Sequence, residues 1–328
     1  MHIPDGFLDA KTVIAADVVA TAGVATALWQ TRKLPPRRVP LLGLSAAFVF
    51  AAQMLNFPVA GGTSGHLLGG VLVAALLGPS SGVLVVTSVL LVQCFLFADG
   101  GVLALGANVL NMAIIDSVAG YYIYRAGCRL LPGPRGRIAA VAFAAWSGAV
   151  LASVVCSGEL ALSGTIPARV AFPAMVGVHS LIGIGEGLIT GLVIFVISQS
   201  RPELLDPSQI QPQAASGVRL REFITYGLIV SVALALFVSP FACPWPDGLD
   251  HVAAKFGFAA REVTSPLVKS PLADYKVPGI GSFAVATALA GLIGTAVVFG
   301  LALAWARILV RRPQSGLGES LAKDGNAA

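Results

Sequence analysis

Long apolar runs that carry almost no charge recur along the whole chain and constrain its fold more than any other feature. A helix that spans a bilayer needs about 20 mainly apolar residues. Of the 328 residues, 56% are hydrophobic and 11% are charged, whereas a soluble domain has roughly 25% charged residues. We therefore predict an all-α, polytopic membrane protein. The predicted spans lie near residues 12–30, 39–57, 81–98, 103–124, 138–158, 172–198, 223–240 and 280–309.

The stretch TSGHLLGGVLVAALLG, between the second and third predicted spans, is shorter and could form a short or partly inserted helix. The distribution of Lys and Arg indicates that it crosses. If it does, and if the amino terminus is outside, four cytoplasmic segments hold 15 of the 21 basic residues, as the positive-inside rule requires. We predict a seven-helix bundle followed by a two-helix hairpin. The expected location is a bacterial inner membrane, with the carboxyl terminus in the cytoplasm.

A stretch rich in Pro, Ser and Gln separates the bundle from the hairpin. SRPELLDPSQIQPQAASG lacks apolar periodicity, which is typical of a linker. We predict a membrane domain over residues 1–200 and a cytoplasmic linker over 201–219. A helical hairpin follows over 220–312, with its outer loop near 241–278, and residues 313–328 are predicted to be a disordered tail.

The sequence lacks the motifs and signals that several other functional classes require. The first base, Lys11, comes too late for a signal peptide, so we expect the amino terminus to be kept. The basic residues follow membrane topology, which argues against a nucleic-acid partner. No Walker A, H-E-x-x-H or G-x-S-x-G motif occurs, so we expect no enzyme and place any ATPase on another chain. The spacing of Cys94, Cys128, Cys156 and Cys243 predicts neither disulfides nor a thiolate zinc site.

The first two residues are a candidate metal chelate. An initiator Met followed by a residue as large as His is normally retained, so we expect a free α-amino group on Met1 beside His2. That amine, the amide nitrogen of His2 and its Nδ1 atom can bind one metal ion through two fused chelate rings, which places three nitrogens in one plane. A planar nitrogen set suits Ni(II) or Cu(II) and can accommodate Co(II), whereas Zn(II) prefers a tetrahedron.

His66 is the candidate for the fourth corner of this plane. It lies in GGTSGHLLGG, on the same predicted side of the membrane as the amino terminus, and Gly62 and Gly70 share its face if the segment is helical. A buried His bonded to a backbone carbonyl is the alternative, and the positive end of a following helix would disfavour a cation. IPDGF predicts a Pro4–Gly6 turn that folds the first residues back toward the bundle.

Polar side chains inside the predicted spans are candidates for residues that support a metal site. Such groups are costly in a bilayer and generally face the bundle interior. They could form interhelical hydrogen bonds, or they could orient the metal ligands, and Glu186 could be a buried carboxylate of the second kind. The candidates for this role are Gln53, Asn108, Asn111, His179 and Glu186.

Four stretches together resemble a known family: MHIPDG, GGTSGHLLGG, ADGGVLALGANVLNMAI and HSLIGIGEGLIT. Roughly residues 1–200 resemble the CbiM/NikM family, the substrate-capture membrane subunits of energy-coupling factor (ECF) cobalt and nickel transporters. PWPDGLDHVAAKFGF and YKVPGIGS are similar to the PDGLE-type module (NikN/CbiN-like) that accompanies such subunits. Asp250 stands where the name of that module expects Glu, which puts any role for that carboxylate in doubt.

The resemblance implies a ligand set and a group of partners. Met1 would supply its amino nitrogen, His2 its backbone nitrogen and imidazole, and His66 the remaining imidazole to a planar divalent ion. That ion, Ni²⁺ or Co²⁺, would be the transported substrate. The implied partners are a transmembrane coupling subunit (CbiQ/NikQ-like), ATP-binding cassette ATPases (CbiO/NikO-like) and the lipid bilayer. A planar set that includes a deprotonated amide favours nickel over cobalt.

Two other functional classes compete with metal capture. A self-sufficient secondary metal transporter or channel calls for inverted repeats and acidic residues at mid-membrane, and by sequence Glu186 is the only clear intramembrane carboxylate. An intramembrane enzyme needs a nucleophile and a base, or an open metal position. A closed set of four nitrogens gives no strong reason to expect catalysis.

Overall fold

The structure is a computed structural model that describes residues 1–205, 220–263 and 267–310. Most of the predicted linker (206–219) and the predicted tail (313–328) lie outside the described residues. Within the described part, six helices are long and apolar enough to span a membrane. They are Ala10–Thr31, Pro79–Phe97, Pro134–Leu162, Ala168–Ser200, Leu220–Phe241 and Phe283–Leu309. The protein is a polytopic, all-helical membrane protein, as the apolar runs predict.

The helices of residues 1–205 form the first part of the fold. They are α1 (Ala10–Thr31), α2 (Val39–Gln53), α3 (Gly70–Leu77), α4 (Pro79–Val92), α5 (Leu105–Asn108), α6 (Gly120–Leu130), α7 (Pro134–Leu162) and α8 (Ala168–Ser200). A π-helical segment, Gln93–Phe97, extends α4, and another, Val109–Ala119, joins α5 to α6. Local chemistry sets several boundaries: Asp9 caps α1 through the amide of Thr12, and a proline begins both α4 and α7.

The second predicted span is shorter than expected. α2 ends at Gln53, and the chain then forms an antiparallel ribbon of two strands, β1 (Phe57–Val59) and β2 (Thr63–Gly65). Two glycines at the turn of this ribbon have φ of 90° and 81°, a region that other residues rarely adopt. A tight turn of this kind is incompatible with a helix through residues 57–65.

The ribbon also changes the surroundings of His66. His66 directly follows β2 and lies in an extended segment, and α3 begins only at Gly70. Gly62 belongs to the ribbon turn rather than to a helix. The predicted helical alignment of Gly62, His66 and Gly70 is therefore wrong, because the two flanking glycines serve a turn and a helix start.

The segment from His66 to Gly78 passes through the bundle from one end to the other. His66 lies beside the amino terminus, whereas Gly78 borders a cavity together with Arg38 and Arg125. α3 rises about 12 Å over its eight residues, and the extended residues before it provide the rest of the passage. We call the end that holds Met1 the amino-terminal end and the opposite end the arginine end.

Close packing of α7 against α8 forms one wall of the bundle. A Cβ atom at Gly187 would lie 2.7 Å from the carbonyl oxygen of Ala142, and one at Gly183 would lie 2.9 Å from the Trp146 ring. Small residues at these positions let the two helices approach closely, as in other membrane helix pairs. Gly183 and Gly187 therefore serve the packing of α8 against α7 within this chain.

The second part of the chain is a hairpin that packs on the first. α9 (Leu220–Ala233) and α11 (Phe283–Leu309) both contact α2, and the loop between them contains α10 (Gly248–Phe256). This loop covers the amino-terminal end through backbone hydrogen bonds. They join Cys243 to Asn56 (2.8 Å), Ser64 to Pro246 (2.8 Å), Val263 to Asp5 (2.9 Å) and Leu272 to Leu96 (2.9 Å).

Candidate metal centre

The first residues of the chain are buried inside the amino-terminal end. The exposed fraction is 3% for Met1 and 9% for His2. Asn108, at the end of α5, holds both backbone groups of Ile3: its Oδ1 accepts from the Ile3 amide (2.7 Å), and its Nδ2 donates to the Ile3 carbonyl (3.0 Å). Gly6 has a φ of 96°, which confirms the predicted turn. The amino terminus is therefore fixed in position by a helix of the bundle.

The amino nitrogen of Met1 lies 3.3 Å from Nε2 of His66. Nδ1 of His66 donates to the Leu67 carbonyl at 3.0 Å, so Nε2 is the atom with a free electron pair, and it faces the amine. Two nitrogens at adjacent corners of a square with metal bonds of about 2 Å stand roughly 3 Å apart. The rings of His2 and His66 stack with centroids 5.3 Å apart. The structure thus places the predicted donors side by side.

His2 lies between two oxygen acceptors. Its Nδ1 is 3.1 Å from Oδ1 of Asp99, and its Nε2 is 3.1 Å from Oε1 of Gln93. Burial lowers the pKa of His2 and outweighs the opposing charge of Asp99, so the ring is neutral near pH 7 and carries one N–H. Gln93 donates its own amide to Gln53 (2.8 Å), which turns Oε1 toward Nε2–H of His2. In this tautomer Nδ1 carries an electron pair that a cation can bind, and the Asp99 carboxylate lies on the same side of the ring.

A carboxylate from the hairpin reaches the same place. Oδ2 of Asp247 lies 2.5 Å from the Met1 amino nitrogen, while its Oδ1 caps α10 by accepting from the amides of Leu249 (2.7 Å) and Asp250 (2.9 Å). Asp250, whose role the sequence left in doubt, has an exposed side chain. Sequence reasoning missed Asp247, because an Asp before Gly-Leu reads only as a helix cap.

The ion pair between Met1 and Asp247 sets the protonation of both groups. Burial alone lowers the pKa of the Met1 amino group, but the charge of Asp247 overcomes this effect and the pKa is raised. Burial alone would raise the pKa of Asp247, but the amino group holds it well below its usual range. Without a metal ion, both groups are therefore charged near neutral pH.

Among the described residues, His2, His66 and Asp247 are close enough to share one metal ion. One ligand atom from each side chain lies within 4.8 Å of the other two. The Met1 amine adjoins both His66 and Asp247. A site rich in nitrogen with one carboxylate at its edge suits a divalent transition metal better than Ca²⁺ or Mg²⁺, which prefer oxygen.

The backbone that carries His66 is held by buried polar groups. Glu186 accepts from the amides of Leu68 (2.6 Å) and Gly69 (3.0 Å), and Gln53 donates to the Leu68 carbonyl (2.9 Å). Asp116 accepts from the Val71 amide at 3.2 Å. Asp116 and Glu186 therefore accept from N–H groups at and just before the start of α3, the end of the helix that disfavours a cation near His66.

Two of the remaining candidates have other surroundings. Asn111 donates to Glu159 (2.6 Å), and among the described residues it forms no hydrogen bond with residues 1–6. Nδ1 of His179 donates to the Met175 carbonyl (2.8 Å), and its Nε2 has no partner among the described residues. His179 lines a cavity of about 10 Å³ together with Met1, His66 and Asp247. It is therefore a neighbour of the centre.

Buried carboxylates are more numerous than the sequence indicated. Besides Glu186, the side chains of Asp116 and Glu159 are buried in helices, with 0% and 6% exposed. The statement that Glu186 is the only clear intramembrane carboxylate is thus wrong. Asp116 lies within an apolar run of the sequence, and Glu159 lies one residue past the predicted span of residues 138–158. Both accept hydrogen bonds inside the bundle, Asp116 at the start of α3 and Glu159 from Asn111.

A cavity of about 370 Å³ adjoins His2 and Asp247. Acidic side chains dominate its charged lining: Asp5, Asp99, Asp247, Asp250, Glu262 and Asp274. No Lys or Arg is present among the described residues that line it. A cleft with charges of one sign raises the local concentration of ions of the other sign. The candidate metal centre therefore has a space beside it whose charge attracts cations.

Comparison with known protein families identifies both parts of the chain. The family model described as the cobalt uptake substrate-specific transmembrane region, CbiM, matches residues 2–204, which is more than half of the chain. The chain belongs to the CbiM family. The PDGLE domain matches residues 221–311. The resemblance to CbiM/NikM proteins with a fused PDGLE-type module is confirmed.

The relatives of this CbiM-family chain are named as metal transport proteins. A putative fused nickel transport protein NikMN from Archaeoglobus fulgidus is 37% identical over 309 residues, covering 94% of this chain and 98% of the relative. A fused nickel transport protein NikMN from Rhodobacter capsulatus is 30% identical, with 95% and 99% covered. A cobalt transport protein CbiM from Geobacter sulfurreducens is 29% identical, with 84% and 83% covered.

A solved structure has the same fold as the CbiM region. The crystal structure of a transition metal transporter superposes with a TM-score of 0.57 at 32% identity, covering 64% of this chain and 98% of that chain. The relatives are transport proteins rather than enzymes, which confirms the prediction of a non-catalytic membrane protein.

Proposed function

We propose that this chain captures a divalent transition metal, Ni²⁺ in preference to Co²⁺, as the substrate-specific membrane component of an ECF-type importer. The observation that supports this most directly is the 3.3 Å approach of the Met1 amine to Nε2 of His66, with His2 stacked beside it. The donors are the Met1 amine, the His2 amide nitrogen, Nδ1 of His2 and Nε2 of His66. The names of the fused nickel transport relatives agree with this proposal.

Binding at this centre requires protons to leave. The Met1 amine, held as an ammonium by Asp247, must lose a proton before its nitrogen can bind a metal, and so must the His2 amide. Nε2 of His66 has a free electron pair, because Nδ1 of the same ring donates to the Leu67 carbonyl. Nδ1 of His2 has a free electron pair in the tautomer in which Nε2 donates to Gln93. Four nitrogens in a plane match the geometry that Ni(II) prefers.

The acidic cavity is the proposed route of entry. It borders His2 and Asp247 and lies under the loop of the hairpin. We place the amino-terminal end outside a bacterial inner membrane, because the arginine end then faces the cytoplasm, as the positive-inside rule requires. ATP hydrolysis is assigned to partner ATPases (CbiO/NikO-like), and coupling to a transmembrane partner (CbiQ/NikQ-like), since the chain has no Walker A motif.

The decisive test is the addition of one residue before Met1. The extended chain keeps every side chain but loses the amine at the position that faces His66. We expect the protein with its native terminus to bind one Ni²⁺ per chain, measured by calorimetry on purified protein in detergent, and the extended protein to lose tight binding. The control carries the same added residue after Ala328. If the protein extended before Met1 binds nickel as tightly as the native protein, the proposed amino-terminal site is wrong.

A further inference from the structure

An open cavity of about 470 Å³ lies at the arginine end, opposite the metal centre. Four arginines from three parts of the chain line it: Arg38 before α2, Arg125 and Arg129 on α6, and Arg137 on α7. Tyr121 lies against Arg125, with its hydroxyl 3.5 Å from the guanidinium. No Asp or Glu is found among the described lining residues. Arg38, Arg125 and Arg129 therefore give the described part of this cavity a positive charge that suits an anion.

An apolar groove of about 330 Å³ continues from this cavity. The two spaces share the side chains of Leu76, Leu77 and Leu204. Helices α2, α3 and α8 of the bundle and α9 of the hairpin form its walls. Leu192 and Val196, on the α8 side, are 63% and 56% exposed, so the groove opens toward the lipid.

We propose that the cavity and the groove together bind one anionic phospholipid. The phosphate lies among the arginines, and an acyl chain lies in the groove between the bundle and α9. Guanidinium groups bind phosphate oxygens with two parallel hydrogen bonds, which gives both charge and geometric fit. Basic pockets between membrane helices on the cytoplasmic side are suited to anionic headgroups. A ligand that touches both α8 and α9 would also hold the hairpin on the bundle.

Basic residues are common at membrane surfaces, so the proposal rests on the direct connection between the arginine-lined cavity and the apolar groove. The apolar groove begins where the arginine cavity ends, which matches the division of a phospholipid into headgroup and chain. The proposal is independent of metal capture, because no residue of the metal centre is part of either space.

The test is lipid binding to the purified full chain in neutral detergent, followed by native mass spectrometry. Phosphatidylglycerol is titrated against phosphatidylcholine, with inorganic phosphate as a competitor. We expect phosphatidylglycerol to bind preferentially and phosphate to displace it only weakly. Each arginine removed should weaken binding roughly five-fold, so Arg125→Gln with Arg129→Gln should weaken it roughly 25-fold. The charge-matched control is Arg32→Gln with Arg307→Gln, two basic residues outside the cavity.

A second pair of variants tests the groove. Val196→Trp places a large ring in the groove. It should weaken the binding of phosphatidylglycerol but not that of glycerophosphoglycerol, which has no acyl chains. Ile184→Trp, on the same helix and similarly exposed at 53%, lies outside the groove and should leave both ligands unchanged. Equal losses from the cavity and control arginine pairs would overturn the proposal, as would full displacement by phosphate. It is also overturned if cavity variants keep the lipid but lose the partner subunits, because the surface is then a protein interface.

Discussion

The Asp247 carboxylate lies 2.5 Å from the Met1 amino nitrogen, although 246 positions separate the two residues in the chain. The PDGLE-domain region thus contributes a charged group to the centre that the CbiM region forms. An ammonium has no electron pair for a metal, so this ion pair must change when a metal binds. Asp247 also attracts the incoming cation. The Asp247 carboxylate therefore opposes metal binding because it keeps the Met1 amine protonated, and it favours metal binding because its negative charge attracts the cation.

Asp247→Asn should alter the pH dependence of nickel binding in two opposite ways. The charge of Asp247 raises the pKa of the Met1 amine, so its removal lowers that pKa and deprotonation occurs at lower pH. The rise of affinity with pH should shift to lower pH. The affinity reached at alkaline pH should fall, because the metal loses a nearby negative charge. Calorimetric titrations between about pH 6 and 10, which bracket the amine, measure both effects.

Asp250→Asn is the matched control for this prediction. Asp250 lies three residues further on, borders the same acidic cavity and has an exposed side chain. Its loss should lower the association rate modestly at low salt. It should shift the pH midpoint less than Asp247→Asn, because Asp250 raises the pKa of the Met1 amine through its charge alone and less strongly than Asp247. An unchanged midpoint in Asp247→Asn, or an equal shift in Asp250→Asn, would contradict a specific role for the ion pair.

The two buried histidines near Met1 should differ sharply in their effect on nickel affinity. Nε2 of His66 faces the Met1 amine, so His66→Ala removes a predicted corner of the plane. We expect a loss of more than about 100-fold, the upper range for residues that only orient a ligand. His179→Ala should change affinity by no more than about three-fold. Absorption bands of bound Ni(II) report the plane directly and should change only in His66→Ala. A larger loss in His179→Ala would assign the fourth corner to His179.

The helical part of the fold could be predicted because a membrane leaves few options. Backbone groups in a bilayer must be bonded within the segment, so an apolar run of sufficient length forms a helix. The bulky second residue predicts a retained amino terminus, and GGTSGHLLGG contains a single His. These two features were sufficient to predict that Met1, His2 and His66 lie close together. Their nearness follows from ligand chemistry combined with the predicted topology.

The contribution of Asp247 could not be predicted, because no periodic signal relates residues so far apart in sequence. Its pattern predicts a helix cap, and Oδ1 does cap α10; the free Oδ2 is what reaches Met1. The ribbon at residues 57–65 was missed for another reason. Adjacent glycines at Gly61 and Gly62 are a turn signal, but the surrounding apolar residues extended the helix prediction through them.

Two buried glutamates offer a test of how the His66 segment is positioned. Glu186 accepts from the amides of Leu68 and Gly69, whereas Glu159 accepts from the side chain of Asn111. Glu186→Gln weakens two amide contacts beside His66 and should reduce nickel affinity about 10- to 100-fold. Glu159→Gln should leave affinity within about three-fold, although both variants lower the melting temperature. Calorimetry and thermal unfolding separate the two effects. Equal affinity losses would indicate general loosening of the bundle.

Asn108 and Asn111, three residues apart in one continuous helix, form a matched pair for the amino terminus. Asn108 bonds both backbone groups of Ile3, and the Ile3 carbonyl also accepts from the Gly101 amide (2.9 Å). Asn108→Ala therefore leaves the buried Ile3 amide unpaired, at a cost of about 1–3 kcal/mol. The first residues then lose their fixed position, and metal binding must order them, which should lower nickel affinity roughly ten-fold or more. Asn111→Ala should cost similar stability by leaving Glu159 unpaired, with nickel affinity retained. Chemical unfolding without metal measures the stability of the two variants, and nickel titration of the same samples measures their affinity. Equal nickel affinity in Asn108→Ala and Asn111→Ala would show that the amino terminus needs no anchor at Ile3.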